Sequence, residues 1–368
     1  MNAVMEWFAP TTVMGRAVIG IGFVLVVFAI VFALSALVLG LRRAALAWVV
    51  LFAAGAVALV AWPVGTSGLG SSPDPTTTYE EARARFDAMK ANPPQPLNPL
   101  CEPQLLDHGE RTDSVVVLVH GVSSCPQAFV DFAPILHQRG HTVLVLRMPE
   151  NGFADRATDA LRFMTADNLA RFGDEAVDMA TGFGEEVTFV GISAGGTIAG
   201  WVAQNRADVD RSVLLAPFFG LHGFGPGLNR VLMRAMLLMP NMSIWKDPVA
   251  RENAEDVMPH AYKRQSTRAT GEIMRLGYGT WRQAKEAKAA AGEVVVVTNE
   301  ADTAVSNSTT DAIADTWDEA GVPLVSYVFD ASHGLGHELI DPLEPGADPD
   351  LTYPIILDLI ETGKPPAN

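Results

Sequence analysis

Two long apolar runs and four short apolar segments dominate the hydrophobic pattern of this 368-residue chain. The long runs cover residues 17–41 and 44–65 and carry no charge. Each reaches the roughly 20 residues that a helix needs to cross a bilayer core. Only Arg42 and Arg43 separate them. The pattern therefore predicts a transmembrane helical hairpin within residues 1–66.

The basic pair also predicts an orientation for this hairpin. Loops on the cytoplasmic side of a membrane are enriched in Lys and Arg. Arg42 and Arg43 form the densest basic pair near the two runs, and Arg16 is a competing single charge. We expect the pair in the cytoplasm and both chain termini outside it. The remainder of the chain would then lie at the membrane on the extracytoplasmic side.

Residues 67–99 have the composition of a linker. The stretch 63–78 is rich in Gly, Ser, Thr and Pro, which is typical of a connecting segment. Charged and apolar residues then alternate at helical spacing over 79–91, which predicts a short amphipathic helix. The prolines that follow stop it. This leaves 100–368 for one large α/β domain.

The four short apolar segments of that domain are typical of buried parallel strands. They cover residues 114–119, 186–190, 293–298 and 323–329. Each is followed by residues with candidate chemistry: His120 and Gly121, then Ser193, then Asp302, then His333. Catalytic groups of open α/β sheets gather past the carboxyl ends of the strands. We therefore expect these residues at one edge of the sheet.

Ser193 lies in the most informative of these motifs. Residues 191–195 read Gly-Ile-Ser-Ala-Gly, between a predicted strand and a predicted helix at 197–203. Strand, Gly-x-Ser-x-Gly turn and helix is the context of a nucleophile elbow, in which a strained turn presents the serine hydroxyl above the sheet. The alternative is a small-residue turn without chemistry, since Gly, Ser and Ala are common residues.

With the order Ser, Asp, His, residues 100 to about 359 resemble the α/β-hydrolase family, most closely its monoacylglycerol lipase, carboxylesterase and serine aminopeptidase branch. The resemblance implies an α/β fold with a mostly parallel sheet of the eight-stranded type and a helical cap at about 218–283. It implies Ser193 as nucleophile, His333 as base and Asp302 as the acid that orients the base. The backbone N–H groups of Val122 and Ala194 would form the oxyanion hole.

Each triad member has a rival. His337 lies four residues after His333. His333 is preferred because it lies three residues past Asp330, the polar end of the predicted strand, where the family places its base. Glu300 competes with Asp302, and Asp330 competes more weakly. For His120 we expect a structural role under the oxyanion turn.

The predicted cap is rich in Leu and Met. Met233, Met236 and Leu237 are candidates for an apolar wall that contacts the substrate, because Met adapts to irregular apolar groups. Ordinary helix packing is the alternative for each of them.

Cysteine content and charge narrow the picture further. Cys101 and Cys125 are the two cysteines, and a disulfide between them is plausible if the domain is exported; two unrelated buried thiols are the alternative. A formal charge of −16 argues against a nucleic-acid partner. The chain has no zinc-type Cys/His spacing, Walker A motif or dinucleotide fingerprint. We therefore expect neither a metal nor a cofactor.

Together these features predict a membrane-anchored serine hydrolase that cleaves lipid-like or medium-chain carboxylic esters. A serine aminopeptidase is one alternative, with Glu252, Glu255 and Asp256 of the cap as carboxylates that would hold a free amine. A catalytically inactive, membrane-tethered binding domain is another, and acyl transfer to an acceptor other than water also stays open.

Overall fold

A computed structural model describes residues 40–61, 63–91, 93–253 and 258–365, together with the single positions 31, 35 and 38. The chain divides into two compact units. The first comprises Met1–Pro63 and Lys246–Asn253, and the second comprises Val64–Trp245 and Ala254–Asn368. The second unit contains all the candidate site residues that the four strands predict.

The described helix of the first unit is α1, Leu41–Ala61. Arg42 and Arg43 lie in its first turn, whereas the sequence predicts them in a loop between two helices. Within the described part of the chain, no helix meets the length and apolarity that a membrane crossing requires. The predicted transmembrane hairpin and the extracytoplasmic placement that depended on it are therefore wrong. Most of the run at 17–41 lies outside the described residues.

The second unit is built on a mainly parallel sheet of seven strands, in the order β1-β3-β2-β4-β5-β8-β9. Only β1 is antiparallel to its neighbour. The nine described strands, two of them in a separate ribbon, are β1 Gln104–Leu106, β2 Thr112–Val119, β3 Thr142–Leu146, β4 Gly184–Ile192, β5 Arg211–Leu215, β6 Ser243–Trp245, β7 Arg264–Ser266, β8 Glu293–Asn299 and β9 Leu324–Phe329. The described sheet thus has one strand fewer than the eight-stranded type that the family resemblance implies.

The four apolar segments lie in β2, β4, β8 and β9. In β2 every residue from Val115 to Val119 is buried, because helices cover both faces of the sheet. β9 is the last strand of the sheet, and exposed residues alternate with more buried ones along it. Register within the sheet is fixed by pairs such as Val117 with Phe189 and Leu144.

Eight further helices complete the described fold. They are α2 Tyr79–Ala91, α3 Ala133–Gln138, α4 Ala166–Phe183, α5 Ala194–Asn205, α6 Pro226–Leu238, α7 Thr267–Ala284, α8 Asn307–Glu319 and α9 Pro349–Thr362. Several begin at a side-chain cap, because the first backbone N–H groups of a helix have no partner within it. The hydroxyls of Thr165, Ser266 and Ser306 accept such N–H groups at the starts of α4, α7 and α8.

The segment between α1 and α2 packs, from Val64 onward, against the core of the second unit. Leu69 is fully buried, and its carbonyl accepts the indole N–H of Trp201 at 2.6 Å. The backbone N–H of Thr76 donates to the carbonyl of Asp178 at 2.9 Å. The Gly, Ser and Thr composition predicts a linker because it lacks apolar periodicity. In the structure, the buried side chain of Leu69 and these hydrogen bonds attach the segment to the core.

Between β5 and β8 the chain forms α6, the antiparallel β6–β7 ribbon and α7. A Cβ at Gly277 of α7 would lie 2.5 Å from the ring of Phe219, so α7 approaches the end of β5 closely. This is the part of the chain for which the sequence predicts a cap, at 218–283.

Candidate active site

Ser193 is the single residue between β4, which ends at Ile192, and α5, which begins at Ala194. Its backbone has φ 57° and ψ −115°, a region that non-glycine residues rarely occupy. The surrounding backbone holds it there. The Ser193 N–H donates to the carbonyl of Leu215 at 2.9 Å, and the Ser193 carbonyl accepts the N–H of Phe218 at 2.9 Å. The residue is 4% exposed.

The flanking glycines are required by close backbone approaches. A Cβ at Gly191 would overlap the carbonyl oxygen of Gly195, and a Cβ at Gly195 would overlap the carbonyl oxygen of Val119 in β2. Any larger residue would therefore displace the turn. The Gly-x-Ser-x-Gly pattern thus has the geometric basis that a nucleophile elbow needs.

Asp302 lies three residues past the end of β8 and is 2% exposed. Its Oδ1 accepts the backbone N–H groups of Ala304 at 2.7 Å and Val305 at 3.1 Å. Its Oδ2 lies 2.6 Å from Nδ1 of His337. Burial by itself raises the pKa of Asp302, but these hydrogen bonds and the positive imidazole outweigh it and lower the pKa.

The structure contradicts the predicted pairing of Asp302 with His333. After β9, Ala331–His333 form a short 3-10 turn that Asp330 caps, and Gly334 ends it with φ 62°. His333 is exposed. The ring that reaches Asp302 belongs to His337, four residues further along the chain. The rival that the sequence ranked second is the structural partner of the aspartate.

A buried amide that the sequence did not indicate holds the two loops together. Asn299, the last residue of β8, donates from Nδ2 to the carbonyls of Leu335 at 3.1 Å and Gly336 at 2.9 Å. Its Oδ1 accepts the N–H of Ala301 at 3.0 Å. One side chain thus fixes the loop that carries Asp302 and the residues just before His337. Its role depends on where the loop after β9 runs, so no signal for it is present in the sequence.

The ring of His337 is suited to accept a proton at Nε2, because Asp302 occupies Nδ1. Its side chain is 16% exposed. Burial by itself lowers the pKa of His337, but the hydrogen bond to Asp302 and the negative charge of Glu338 outweigh it, so the pKa is raised.

The turn after β2 lies against the nucleophile. A Cβ on Gly121 would lie 3.3 Å from Cβ of Ser193. Val122 follows directly and is partly buried, and Ala194 begins α5, where a backbone N–H has no acceptor within the helix. Both residues whose N–H groups were predicted to bind an oxyanion therefore adjoin the nucleophile turn.

His120 supports this turn from beneath. The ring is fully buried, its Nδ1 lies 2.8 Å from the carbonyl of Gly121, and its Nε2 accepts the N–H of Met148 at 3.1 Å. Burial lowers the pKa of His120 to about 3, so the ring stays neutral with its proton on Nδ1. These contacts fit the structural role expected for it.

Cys101 and Cys125 are joined by a disulfide, with 5.2 Å between their Cα atoms. Cys125 lies at the start of the 3-10 turn Pro126–Phe129, directly after the oxyanion turn. The bridge therefore ties the segment before β1 to the segment that follows the oxyanion turn.

The three apolar cap candidates take part in helix packing. Met233 is 1% exposed and lines a cavity of about 20 Å³ with Phe219 and Met274. Met236 lies 3.0 Å from the position of a Cβ on Gly271, so it packs between α6 and α7 with Leu237. The contacts that the structure gives these side chains thus support the packing alternative.

A cavity of about 260 Å³ borders Asp302. It is lined by His222, Glu300, Ser306 and Asn307 among others. Neither Ser193 nor His337 is in its described lining, so it is not where a reacting acyl group would lie. Within the described residues, no group of three or more His, Cys, Asp or Glu is arranged to hold a metal ion.

Three carboxylates of the predicted cap were proposed to bind an amine. Glu252 belongs to the first unit, and Glu255 and Asp256 lie outside the described residues. A different carboxylate, Glu338, lies beside the nucleophile, since its Oε1 occupies the space that a Cβ on Gly121 would need. Sequence reasoning missed it because its position depends on the path of the loop after β9.

Comparisons with known proteins agree with the fold. A family model described as the alpha/beta hydrolase family matches residues 116–347. A structure from work on LipS and LipT, two metagenome-derived lipolytic enzymes, has a TM-score of 0.51 at 18% identity, covering 72% of this chain and 99% of that one. A soluble variant of monoglyceride lipase from Saccharomyces cerevisiae has a TM-score of 0.51 at 14% identity, covering 70% of this chain and 90% of that one. Such identities show the fold alone. No curated protein matches the sequence significantly.

Proposed function

This chain belongs to the α/β-hydrolase family, and on that premise we propose that it is a serine hydrolase that cleaves carboxylic esters. Ser193 is the nucleophile, His337 the base and Asp302 the acid that orients the base. The observation that carries the proposal is the 2.6 Å contact between Asp302 and His337 at the sheet edge where Ser193 is held at positive φ.

The reaction follows from these positions. The Ser193 hydroxyl attacks the acyl carbon while its proton passes to Nε2 of His337. Asp302 stabilises the imidazolium that forms and keeps the proton of the neutral ring on Nδ1. The backbone N–H groups of Val122 and Ala194 bind the oxyanion. His337 then protonates the leaving alcohol, and a water molecule activated by the same base hydrolyses the acyl-enzyme.

An apolar cap favours lipid-like or medium-chain acyl esters. Leu228 and Leu238 on α6 and Met239 just after it are exposed. Apolar groups of a substrate gain about 0.8 kcal/mol for each CH₂ that they bury. Only the part of this free energy that is expressed in the transition state raises the rate.

The test is a substrate panel on the full chain. Acetyl, butyryl and octanoyl p-nitrophenyl esters are compared with alanine p-nitroanilide, and a fluorophosphonate probe labels the nucleophile. We expect ester turnover that rises with acyl length. Ser193→Ala should lose both this turnover and the labelling by the fluorophosphonate probe. Ser326→Ala, an exposed serine of β9, is the matched control and should retain both. Undiminished labelling of Ser193→Ala, or turnover of the anilide with none of the esters, would reject the proposal.

A further inference from the structure

Glu338 is a buried carboxylate at the nucleophile that the triad chemistry does not use. It follows His337 directly and is 8% exposed. A Cβ added to Gly121 would overlap Oε1 of Glu338 and would lie 3.4 Å from its Cδ. The same point is 3.3 Å from Cβ of Ser193. The carboxyl group therefore packs against Gly121 of the oxyanion turn, on the side of this glycine that also adjoins Ser193.

Three acidic side chains act on the ring of the proposed base. Asp302, Glu338 and Glu344 all act on His337 as negative charges. A charge held in a poorly hydrated site acts more strongly than one in water, because the effective dielectric constant is lower. A cationic substrate group close to the scissile bond would be attracted there, and an anionic group would be repelled.

We propose that Glu338 is a specificity residue that selects esters carrying a positive charge next to the scissile bond. The inference rests on the proposed esterase function and names the substrate class of the same site. Its basis is the position of the Glu338 carboxylate against Gly121, the residue of the oxyanion turn that adjoins Ser193. A quaternary ammonium or protonated amine within a few bonds of the ester is the group that this carboxylate recognises.

Two isosteric substrate pairs test the proposal on the full chain. Butyrylcholine and 3,3-dimethylbutyl butyrate differ by a positive charge on the alcohol side. Ethyl betaine and ethyl 3,3-dimethylbutyrate differ by the same charge on the acyl side. Acid release is measured by pH-stat, the uncatalysed rate is subtracted, and the cationic-to-neutral ratio of kcat/KM is calculated for each pair.

We expect Glu338→Gln to lower this ratio at least fivefold in one pair while the neutral esters are still cleaved. The substitution keeps the side-chain volume, and any loss of folding or of base strength lowers both members of a pair equally and leaves the ratio unchanged. Glu300→Gln, which removes a carboxylate from the loop after β8, is the control. Ratios that Glu338→Gln leaves unchanged in both pairs would overturn the inference. Absence of turnover of all four esters by the parent protein would instead reject the proposed function.

Discussion

Asp302–His337 and Asp341–His260 are two histidine–aspartate pairs of similar geometry and different surroundings. The Asp302 carboxylate lies 2.6 Å from Nδ1 of His337, and the Asp341 carboxylate lies 2.8 Å from Nε2 of His260. The side chain of His337 is 16% exposed, whereas that of His260 is fully buried. The Nδ1 of His260 is buried and has no hydrogen-bond partner among the described residues.

The difference lies in what the second ring nitrogen can reach. His337 keeps Nε2 for proton transfer, because Nδ1 is paired and the ring is partly open. His260 is enclosed, and its pair connects the segment around 258–262 to the loop that follows Glu338. Asn98 donates to the carbonyl of Pro259 at 3.1 Å and adds a second connection to that segment. A histidine–aspartate hydrogen bond thus orients the proposed base in the first pair and holds two loops together in the second.

The largest effect is expected from removing the open ring. His337→Ala should lower kcat/KM by on the order of 10⁴- to 10⁶-fold, because nucleophile and base act as a unit. His333→Ala is the matched control four residues earlier, and it should retain most of the activity because His333 is exposed. Rates with a p-nitrophenyl ester measure both. Strong loss in His333→Ala with full activity in His337→Ala would return the role of base to His333.

Removing the orienting acid should have the second largest effect. Asp302→Asn is expected to lower kcat by about 10⁴-fold, because the amide favours the wrong tautomer of the ring. Glu300→Gln is the control in the same loop, where Glu300 accepts the N–H of Ala331 at 3.2 Å, and should have a mild effect. If the two variants were equally active, Asp302 would not be the orienting acid.

Breaking the enclosed pair should affect stability more than chemistry. Asp341→Ala leaves the buried His260 ring without its acceptor, which costs about 1–3 kcal/mol. Asp330→Ala is a matched control, because both aspartates accept a backbone N–H two residues on, at 3.0 Å in Leu343 and 2.8 Å in Ser332. Thermal unfolding should show a lower Tm for Asp341→Ala alone, with kcat of the folded protein within a few-fold of the parent. An unchanged Tm would show that the pair does not hold the loop.

The smallest expected effect is a shift in the pH dependence of kcat/KM. Because the pKa of His337 is raised, the acid limb of kcat/KM on a neutral ester should lie above the free imidazole value of about 6.5. Glu338→Gln removes one of the negative charges that raise it and should move the limb to lower pH by less than about one unit. The groups that act on the ring are Asp302, Glu338 and Glu344. A limb below that of free imidazole would contradict the electrostatics described for the site.

The pKa shifts of His337 and Asp302 also determine how the free energy of unfolding changes with pH. The raised pKa of His337 contributes stability that is complete below about pH 6.5, the unfolded value, and is lost as pH rises through the folded value. The lowered pKa of Asp302 contributes stability that is present above about pH 3.9 and is lost as pH falls through the folded value.

Features encoded locally were predictable from the sequence. The four strands are continuous runs of apolar residues, and the helix at 79–91 has helical spacing, so α2 and the four strands lie where the pattern puts them. The serine turn is specified by glycines whose hydrogens leave room for neighbouring backbone. The strands β1, β6 and β7 have three residues each, which is too short for a periodic signal.

Features that depend on the path of a loop were not predictable. Counting residues past β9 selects His333 only if the chain runs straight on. Gly334 at φ 62°, and the hydrogen bond from Gly336 to the carbonyl of Gly346 at 3.1 Å, fold the loop back so that His337 arrives at Asp302. Asn299 and Glu338 act through the same loop, so their positions were not visible in the sequence. The membrane prediction failed because it relied on apolar length and treated Arg42 and Arg43 as a loop.

The Glu338 carboxylate fills the space that a side chain at position 121 would need, although 216 other residues separate the two positions along the chain. A methyl group at position 121 would overlap Oε1 of Glu338 and force the carboxylate to move, and it would also lie 3.3 Å from Cβ of Ser193. Evolution of the charge at this site is therefore epistatic. A lineage that replaces Glu338 by a small residue loses the larger of the two obstacles to an alanine at 121, and once that alanine is fixed a glutamate at 338 can return only with its carboxylate displaced.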